Sequence, residues 1–468
     1  EKYIHPVAVE DIAIEGMRGL GAIDPNLTVS RDGGDVTLAA AGLEVARLPT
    51  PEAGDVAGWA KLTVDVSMAA REASAGIRAA DMEDLYEAVF DGVLSNLDIF
   101  SRYAGADEAR RNRSKRDGFG GIGIRYRLED GEPLIFDVIP NTPAAKAGLR
   151  KDDRITHADG QALKGLSKAE IGRRLRGPTY TRIELTIRRP GAPAPLTFAM
   201  DRAHIFATTV FETRKDGIVV LRVRSFNQDT ARALAEALEK TRDVLGDDMK
   251  GLVLDLRGNP GGLLKQAVKV ADLLLTQGHI ISTRGRHADS IHHYEAGGRD
   301  LAFSLPVVVL VDGKSASAAE IVAAALQDRQ RAVVIGTASF GKGSVQTVIR
   351  LPNDGEITLT WSRLVAPSGY MLHGLGVLPA ICTSGLGNMG AEVIAAVLAN
   401  RTKTEETLYA WRTPGLQDEA KRRHLRESCP SQRRRDVVEV EIARRLIEDK
   451  ALYARALTLS SATHEARY

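Results

Sequence analysis

The sequence predicts an α/β core that follows a β-rich module, with helical regions at both ends of the chain. Apolar strands such as GIVVLRV (217–223) and GLVLDLR (251–257) alternate with stretches of helical periodicity. This alternation indicates a largely parallel sheet that is covered on both faces. Residues 116–205 break the pattern, because they combine short strands with glycine-rich turns. Residues 386–468 are highly charged and helical in period.

The N-terminal region, residues 1–115, is predicted to be mainly helical with one hairpin. The hairpin is indicated by alternating strands on either side of the turn residues Asp32-Gly33-Gly34-Asp35. Residues 82–97 have apolar side chains at helical spacing. A segment rich in Arg, Gly and Asp then leads to Gly118, and we predict that it is a linker.

The β-rich module, residues 116–205, starts with the glycine-rich stretch FGGIGIRYR. A short Pro/Ala helix is predicted to stop at Gly148. A second helix is predicted to start at Ser167, because Glu170 three residues later completes a capping box. The module closes with the strand TRIELTIRR.

The predicted core covers residues 206–385, and the C-terminal extension covers residues 386–468. We expect the extension to be a helical appendage. Within the core, the predicted elements after the first two strands are helix 263–275, strand LPVVVLVD, helix 317–328, strand RAVVIG and the alternating strand SVQTVIRL.

Composition argues against several classes of function. The 468 residues are 44% hydrophobic and 26% charged, with a net charge of +2, as in ordinary globular proteins. The basic clusters at 110–116 and 432–436 lack interleaved aromatic residues, so we expect solvated faces and no nucleic-acid partner. No apolar run reaches the roughly 18–20 residues of a membrane span, so we expect no transmembrane segment. The chain shown starts at Glu1, and we expect no signal peptide within it.

The two cysteines, Cys382 and Cys429, have no metal-ligand spacing. They are either two unrelated buried thiols or one disulfide that pins the C-terminal segment to the core. Closing that loop would contribute roughly 4 kcal/mol on the chain-entropy model. A disulfide would fit an extracytoplasmic protein.

Ser315 and Ser317 lie where a loop is predicted to become a helix. Ser317 and Glu320 fit a capping box, which needs no catalytic role. The same position, however, places a hydroxyl beside unsatisfied N–H groups that can stabilise an oxyanion. A serine nucleophile also needs a base. Asp328 lies about 16 Å along a continuous helix from Ser317, so we interpret it as structural, bonding the following turn.

Lys342 is a candidate base because it lies between two glycines at the start of a strand. Burial would lower its pKa, and a neutral amine could take the serine proton. Gln346, four residues on, would share its face of the strand and could orient the amine. A phosphate-binding loop is the competing interpretation of GTASFGKG, but Gly343 replaces the Ser or Thr that would bind magnesium.

The stretch KSASAAEIVAAALQDRQRAVVIGTASFGKGSVQTVIRL resembles the carboxy-terminal processing proteases, also called tail-specific proteases, of peptidase family S41. The resemblance identifies Ser317 as the nucleophile, Lys342, 25 positions on, as the base, and Gln346 as its orienter. Ala319 stands where the family usually has a further serine. The resemblance covers roughly residues 80–385 and implies a ClpP/crotonase-like core without a metal or organic cofactor.

The resemblance also implies the oxyanion and peptide-binding groups. In GLVLDLRGNPGGLL, a backbone N–H of Gly261 or Gly262 would act with that of Ala318. The β-rich module resembles an inserted PDZ domain. Its peptide-binding loop would comprise Gly120, Gly121, Ile122, Gly123 and Ile124.

A PDZ-gated serine endopeptidase with a Ser-Lys dyad is therefore the expected function, acting near apolar C-terminal tails of envelope proteins. The resemblance implies a periplasmic or cell-envelope location, a homo-oligomer, a possible adaptor protein, and Arg176 as a possible sensor of the bound tail. The alternatives are a catalytically silent PDZ scaffold, a protease that depends on an adaptor, and a Ser-His hydrolase that uses His292, His293 or His373.

Overall fold

The computed structural model describes residues 2–385, 390–413, 415, 418–433 and 437–461. Within these limits the chain forms two compact units. The smaller unit comprises residues 113–208 and 227–229, so it contains the whole β-rich module predicted at 116–205. The larger unit contains the N-terminal residues, the α/β core and the C-terminal extension. Part of the basic cluster at 432–436 lies outside the described residues.

The N-terminal region combines helices with a small antiparallel sheet. Its elements are α1 (Val9–Arg18), β1 (Leu27–Asp32), β2 (Asp35–Ala40), β3 (Leu43–Pro49), α2 (Val56–Ala73), α3 (Ala75–Ala79), α4 (Met82–Leu94) and β4 (Arg102–Ala104). The predicted hairpin is β1–β2, and β3 extends it, which the sequence analysis did not predict because β3 is largely exposed. The region has a hydrophobic core of its own, which includes Met17, Leu38 and Trp59.

Residues 106–117 form a helix, α5 (Ala106–Asp117), where the sequence analysis predicted a linker. The prediction was wrong because the segment lacks an apolar stripe, and Ala109 is its buried position. Acidic residues in the first turn and basic residues in the last turn complement the helix dipole. A surface helix of this kind depends on propensity and charge rather than on burial.

The smaller unit is a β-rich fold with two short helices. Its elements are β5 (Phe119–Gly121), β6 (Ile124–Glu129), β7 (Glu132–Val138), α6 (Pro143–Ala147), β8 (Arg154–Ala158), β9 (Gln161–Ala162), α7 (Lys168–Leu175), β10 (Arg182–Arg188), β11 (Leu196–Asp201) and β12 (Ala203–Ile205). The main sheet has the order β11-β10-β8-β7-β6, and β5 pairs with β12. As predicted, α6 stops at Gly148, which is left-handed, and Ser167 and Glu170 form a capping box.

The core of the larger unit is a mainly parallel sheet. Its strands and helices are β13 (Val210–Lys215), β14 (Ile218–Val223), α8 (Thr230–Leu245), β15 (Gly251–Asp255), α9 (Leu264–Asp272), β18 (Val307–Val311), α10 (Ala318–Asp328), β19 (Val333–Gly336) and β22 (Ile381–Cys382). The intervening strands β16, β17, β20 and β21 form a second sheet, described below. The order is β13-β14-β15-β18-β19-β22, and every pair after β13–β14 is parallel. The alternating α/β pattern predicted this arrangement.

A second, antiparallel sheet belongs to the same unit. It contains β16 (Gly278–Gly285), β17 (His292–Ala296), β20 (Ser344–Arg350) and β21 (Glu356–Val365), in the order β17-β16-β21-β20, and β4 adds to β21. SVQTVIRL was expected to continue the parallel sheet, but it forms β20 here. Alternating polar and apolar residues predict which side chains share a face of a strand, but they do not predict which strands pair with it. The sequence therefore could not show that SVQTVIRL belongs to a different sheet.

The C-terminal extension is helical, as predicted, but it is not an appendage. Its helices are α11 (Gly390–Ala399), α12 (Arg401–Trp411), α13 (Glu419–Arg426), α14 (Val438–Glu448) and α15 (Lys450–Leu457). Trp411, Ile442 and Leu446 belong to the same hydrophobic core as the parallel sheet. Cys382 and Cys429 form a disulfide that links β22 to the segment after α13. In the described part of the chain, no helix has the length and apolar character needed to span a bilayer.

Candidate active site

Three loops meet at one edge of the parallel sheet. They follow the neighbouring strands β15, β18 and β19, and parallel strands place their carboxyl ends at the same edge. The Ala316 N–H donates to the Asn259 carbonyl oxygen at 2.9 Å, and the Phe340 N–H donates to the Ser315 carbonyl oxygen at 2.9 Å. The backbone therefore joins the three loops that carry the predicted catalytic and oxyanion residues.

The two serines of the second loop have different surroundings. The Ser315 side chain is buried, and its hydroxyl donates to the Leu256 carbonyl oxygen at 2.9 Å and accepts the Asp312 N–H at 2.9 Å. Ser315 is therefore engaged in holding the loop. Ser317 is partly exposed and immediately precedes α10, with φ of 54° and ψ of −112°. A non-glycine residue in this strained conformation is typical of a nucleophile held at a sharp turn.

Glu320 connects the serine loop to the lysine loop. Its side chain is fully buried, and its carboxylate accepts the N–H groups of Ser317 at 2.7 Å, Gly341 at 2.6 Å and Lys342 at 2.9 Å. It also accepts the Ser339 hydroxyl. Burial raises the pKa of Glu320, while these hydrogen bonds favour the carboxylate. The sequence analysis treated Glu320 as a capping residue alone; an acidic residue within the apolar helix AAEIVAAAL was the available signal.

The Lys342 amine lies 4.8 Å from the centre of the Phe100 ring, in cation–π geometry. Burial lowers the pKa of Lys342, and the nearby Arg102 charge lowers it further, whereas the Asp98 and Glu320 carboxylates raise it. Among the hydrogen bonds of the described residues, none joins the Lys342 amine to the Ser317 hydroxyl. The structure therefore brings the two loops together without joining the two reactive groups.

Gln346 does not contact the Lys342 amine through a hydrogen bond in the part of the chain described. Its amide donates to the hydroxyls of Ser344 at 2.9 Å and Thr360 at 3.3 Å, and Thr360 in turn donates to Asp98. The expected orientation of the lysine by Gln346 is thus not present in this arrangement, because β20 directs its amide toward β21.

The N-terminal segment 98–104 adds residues that the sequence analysis missed. Its strand β4 pairs with β21, which brings Phe100 and Arg102 to the Lys342 loop from a position more than 200 residues earlier. Asp98 accepts the Phe100 N–H and the Ser101 hydroxyl. Nothing in the local sequence indicates this placement, since it depends on strand pairing across the chain.

The structure distinguishes between the two candidate oxyanion glycines. The Gly261 N–H already donates to the Asn259 side chain at 2.8 Å. No acceptor among the described residues takes the N–H of Gly262 or of Ala318. Gly262 has φ of 146° and approaches the Phe226 backbone so closely that a Cβ would lie 2.1 Å from its carbonyl oxygen. Among the described residues, Gly262 and Ala318 thus keep N–H groups without a protein acceptor, as the predicted oxyanion role requires.

The segment after α13 holds the serine and lysine loops from the C-terminal side. The Gln432 carbonyl oxygen accepts the Gly313 N–H at 2.7 Å and the Thr337 hydroxyl at 3.1 Å. The Ser431 hydroxyl donates to the Ala338 carbonyl oxygen at 2.8 Å. On the next helix, α14, Glu439 forms a buried ion pair with Arg257, which lies in the loop after β15. The Glu439 carboxylate is 3.0 Å from the Arg257 guanidinium, which also pairs with Asp255.

The histidines considered as alternative bases are engaged elsewhere. His373 lies 3.0 Å from the Arg363 guanidinium, and burial together with the Arg363 and Arg422 charges lowers the pKa of His373 to about 4. His293 lies between Ser282 and Glu295, and His292 is near Thr283. Within the described residues, no histidine hydrogen-bonds Ser317, and no group of three His, Cys, Asp or Glu side chains could hold a metal ion.

Asp328 lies at the far end of α10, as expected, but it does not bond the turn that follows. Its carboxylate pairs with Arg412 at 2.7 Å and accepts the N–H and hydroxyl of Ser368. The expected local bond was wrong because Arg412, just after α12 in the C-terminal extension, supplies a charge partner.

In the smaller unit, the glycine loop lies next to the end of α7. The Gly177 N–H donates to the Gly120 carbonyl oxygen at 3.1 Å. Gly121 pairs with β12, and Gly123 has φ of 87°, where a Cβ would meet Thr142. Ile122 is packed in the core of the unit, whereas Ile124 is half-buried against it. The Arg176 guanidinium lies 4.1 Å from the centre of the Phe119 ring.

Comparison with known proteins follows the same division of the chain. Residues 217–383 match peptidase family S41, and residues 135–189 match the PDZ domain. The carboxy-terminal-processing protease of Bartonella bacilliformis is 42% identical over 303 residues, which cover 64% of this chain and 70% of that protein. The carboxy-terminal processing protease CtpB of Bacillus subtilis is 32% identical, and the alignment covers 65% of this chain and 64% of that protein.

Among solved structures, a photosystem II D1 C-terminal processing protease is 27% identical, with a TM-score of 0.39; the alignment covers 69% of this chain and 85% of that one. The Bartonella relative shows the family of this chain, because it is 42% identical and is matched over 70% of its own length. The chain belongs to the carboxy-terminal processing proteases of peptidase family S41 and carries a PDZ domain.

Proposed function

We propose that the protein is a serine endopeptidase in which Ser317 is the nucleophile and Lys342 is its base. The observation that supports this proposal best is the Glu320 carboxylate, which binds the backbone N–H groups of both Ser317 and Lys342. The depressed pKa of Lys342 is the second support, because a base must be neutral to accept a proton.

In the proposed reaction, the Ser317 hydroxyl oxygen attacks the scissile carbonyl carbon while its proton passes to the Lys342 amine. The N–H groups of Gly262 and Ala318 donate to the resulting oxyanion. The tetrahedral intermediate breaks at the C–N bond, and the leaving amine takes the proton from the Lys342 ammonium. Water then attacks the acyl-enzyme, with Lys342 again accepting a proton and Ser317 recovering its own.

The Lys342 amine lies over the Phe100 ring and, among the described residues, makes no hydrogen bond to the Ser317 hydroxyl. We propose that this arrangement is a resting one and that binding of a tail by the PDZ domain favours the active one, in which Gln346 orients the amine. Arg176 as a sensor of the bound tail belongs to this proposal. The core, with its α-helices between parallel strands, is proposed to be ClpP/crotonase-like.

The proposal for the substrates and the location rests on the names of two relatives and on the disulfide. Two relatives are named for carboxy-terminal processing, and the Cys382–Cys429 disulfide suits an oxidising compartment. We propose periplasmic or cell-envelope substrates with apolar C-terminal tails, cleaved without a metal or organic cofactor. Assembly into a homo-oligomer and use of an adaptor protein are parts of the same proposal.

Cleavage of an unfolded protein with an apolar C-terminal tail tests the dyad. We expect Ser317→Ala and Lys342→Ala each to lower kcat/KM by roughly 1,000-fold or more. Lys314→Ala is the matched control, since Lys314 is an exposed lysine in the serine loop. Activity close to native in Lys342→Ala would exclude lysine as the base. Absence of cleavage by the native chain, even with free tail peptide added, would favour a silent scaffold or an adaptor-dependent protease.

A further inference from the structure

Gln346 faces Thr360 across two antiparallel strands because the pairing of β20 with β21 contains a bulge. Val345 is opposite Ser362 and Gln346 is opposite Thr360, so the pairing passes over Trp361. Bulges re-aim side chains and are common beside active sites. The register shift places the Gln346 amide beside the Thr360 hydroxyl, with 3.3 Å between the amide nitrogen and the hydroxyl oxygen.

Thr360 also contacts Asp98, which lies in the segment before β4. The Thr360 hydroxyl donates to one carboxylate oxygen of Asp98 at 2.9 Å, and the Phe100 N–H donates to the same oxygen at 2.8 Å. The Ser101 hydroxyl donates to the other oxygen at 3.0 Å. Burial acts to raise the pKa of Asp98, but these hydrogen bonds, together with one from Tyr3, outweigh it and lower that pKa below its usual value. Asp98 is therefore ionised near neutral pH, and its side chain accepts hydrogen bonds without donating any.

The ionised Asp98 carboxylate fixes the direction of the hydrogen bond between Thr360 and Gln346. A hydroxyl has a single proton, and the Thr360 hydroxyl donates that proton to Asp98. The Thr360 oxygen can then only accept, so the Gln346 side chain presents its NH2 group to it rather than its carbonyl oxygen. The same NH2 group donates to the Ser344 hydroxyl at 2.9 Å. In the part of the chain described, no hydrogen bond uses the side-chain oxygen of Gln346.

The side-chain oxygen of Gln346 has the chemistry that is needed to orient the Lys342 amine. A neutral amine has N–H groups that donate and one lone pair, which must face the Ser317 proton. An amide oxygen accepts from the amine and leaves that lone pair for the serine. An amide NH2 group in the same place would donate to the lone pair and compete with Ser317 for it. The orientation of the Gln346 amide therefore decides whether it assists the base or blocks it.

We propose that Asp98 is a positioning residue of the active site, which acts through Thr360 to present the side-chain oxygen of Gln346 to the Lys342 amine. The inference rests on the proposed Ser-Lys dyad, and it adds two residues that support the base. Among the described residues, neither Asp98 nor Thr360 hydrogen-bonds the Ser317 hydroxyl or the Lys342 amine. Both act through the Gln346 amide, which Thr360 contacts directly.

Thr360→Val tests this chain of hydrogen bonds without changing a charge, because valine keeps the shape of threonine and lacks its hydroxyl. Cleavage of the unfolded substrate with an apolar C-terminal tail is measured above the acid limb of the pH profile, where Lys342 is neutral. We expect kcat to fall roughly 10- to 100-fold, with KM unchanged. Thr360→Ser keeps the hydroxyl and should retain most of the native kcat. Thr358→Val, two residues earlier on β21, is the matched control and should leave kcat unchanged.

A double-variant cycle shows whether Thr360 acts through Gln346. Gln346→Ala alone should lower kcat by a similar factor. Adding Thr360→Val to it should change kcat by less than about 2-fold, because residues that act as one unit are not additive. Asp98→Ala is the second variant if Thr360→Val fails to fold, as judged by circular dichroism. It should behave in the same way, since loss of the Asp98 charge lowers the pKa of Lys342, which is already neutral at this pH.

The outcomes separate the inference from the function on which it rests. If Lys342→Ala or Gln346→Ala cleaves at the native rate, the proposed base or its orienter is wrong, and the role of Asp98 falls with it. If Gln346→Ala loses activity while Thr360→Val and Asp98→Ala retain it, the dyad stands and the role of Asp98 is overturned. Losses that multiply when Thr360→Val and Gln346→Ala are combined would overturn it as well, because they would show that the two side chains act independently.

Discussion

The N-terminal and C-terminal regions both lie outside the part of the chain that matches the family, yet they are built differently. The N-terminal helices surround a separate hydrophobic core and leave apolar side chains such as Val64 and Met68 exposed. The C-terminal helices share the core of the parallel sheet. One region has its own interior, and the other completes the interior of the catalytic unit.

The two regions also reach the candidate active site in different ways. The C-terminal region bonds the backbone of the serine and lysine loops and buries Glu439 against Arg257. The N-terminal region contributes side chains around the Lys342 amine, namely Phe100 and Arg102. The C-terminal region thus bonds the backbone of the candidate site, while the N-terminal region adds Arg102 and Asp98 charges that shift the pKa of the buried Lys342 amine in opposite directions.

The largest expected effect comes from the disulfide of the C-terminal region. The double variant Cys382→Ala/Cys429→Ala should lose about 4 kcal/mol of unfolding free energy, because the bond closes a loop with a sequence separation of 47. Urea unfolding followed by tryptophan fluorescence measures this, since Trp59, Trp361 and Trp411 all belong to the larger unit.

Cleavage should fall in the same double variant, because Gln432 and Ser431 hold the catalytic loops from the segment that Cys429 anchors. Unchanged stability and unchanged cleavage together would show that the C-terminal region does not shape the site.

A smaller loss of stability is expected when Glu439 loses its charge. Glu439→Gln removes the ion pair with Arg257 but leaves Asp255 in place, so we expect a cost of about 2–3 kcal/mol. The same urea experiment applies. Glu441→Gln is the matched control, since Glu441 is exposed on the same helix, and it should be neutral. Equal stabilities of the two variants would contradict a structural role for the buried pair.

The smallest effect concerns the N-terminal region and the pH profile. Arg102 lowers the pKa of Lys342, so Arg102→Gln should raise that pKa. Lys342 would then stay protonated to higher pH, and the acid limb of the kcat/KM profile should move upward by roughly 0.2–0.7 pH unit, the size expected for a screened surface charge. Stability should remain unchanged.

Acylation of the Lys342 amine, followed by mass spectrometry across the same pH range, checks the shift independently of catalysis. Lys403→Gln removes one positive charge from the C-terminal extension and serves as the control. A shift in the opposite direction for Arg102→Gln, or the same shift in both variants, would remove the proposed electrostatic role of the N-terminal region.

Local patterns in the sequence predicted most strands and helices of the core, and they failed where position depends on distant partners. Strands such as GLVLDLR were recognisable because burial on both faces requires continuous apolar residues. The helix at 106–117 was missed because it has almost no buried face. The role of Glu320 was missed because a capping box explains the same residue without reference to Lys342.

The sequence by itself determined the spacing of Ser317, Lys342 and Gln346, since order along the chain is local information. Tertiary structure alone decided which groups surround them. Phe100 reaches Lys342 through strand pairing, and Glu439 reaches Arg257 across a separation of 182 residues. Contacts of this kind arise when the chain packs into one interior, and they leave no periodic signal in the segments that make them. Tertiary structure also separated the two candidate oxyanion glycines, because the Asn259 side chain accepts the N–H of Gly261 and not that of Gly262.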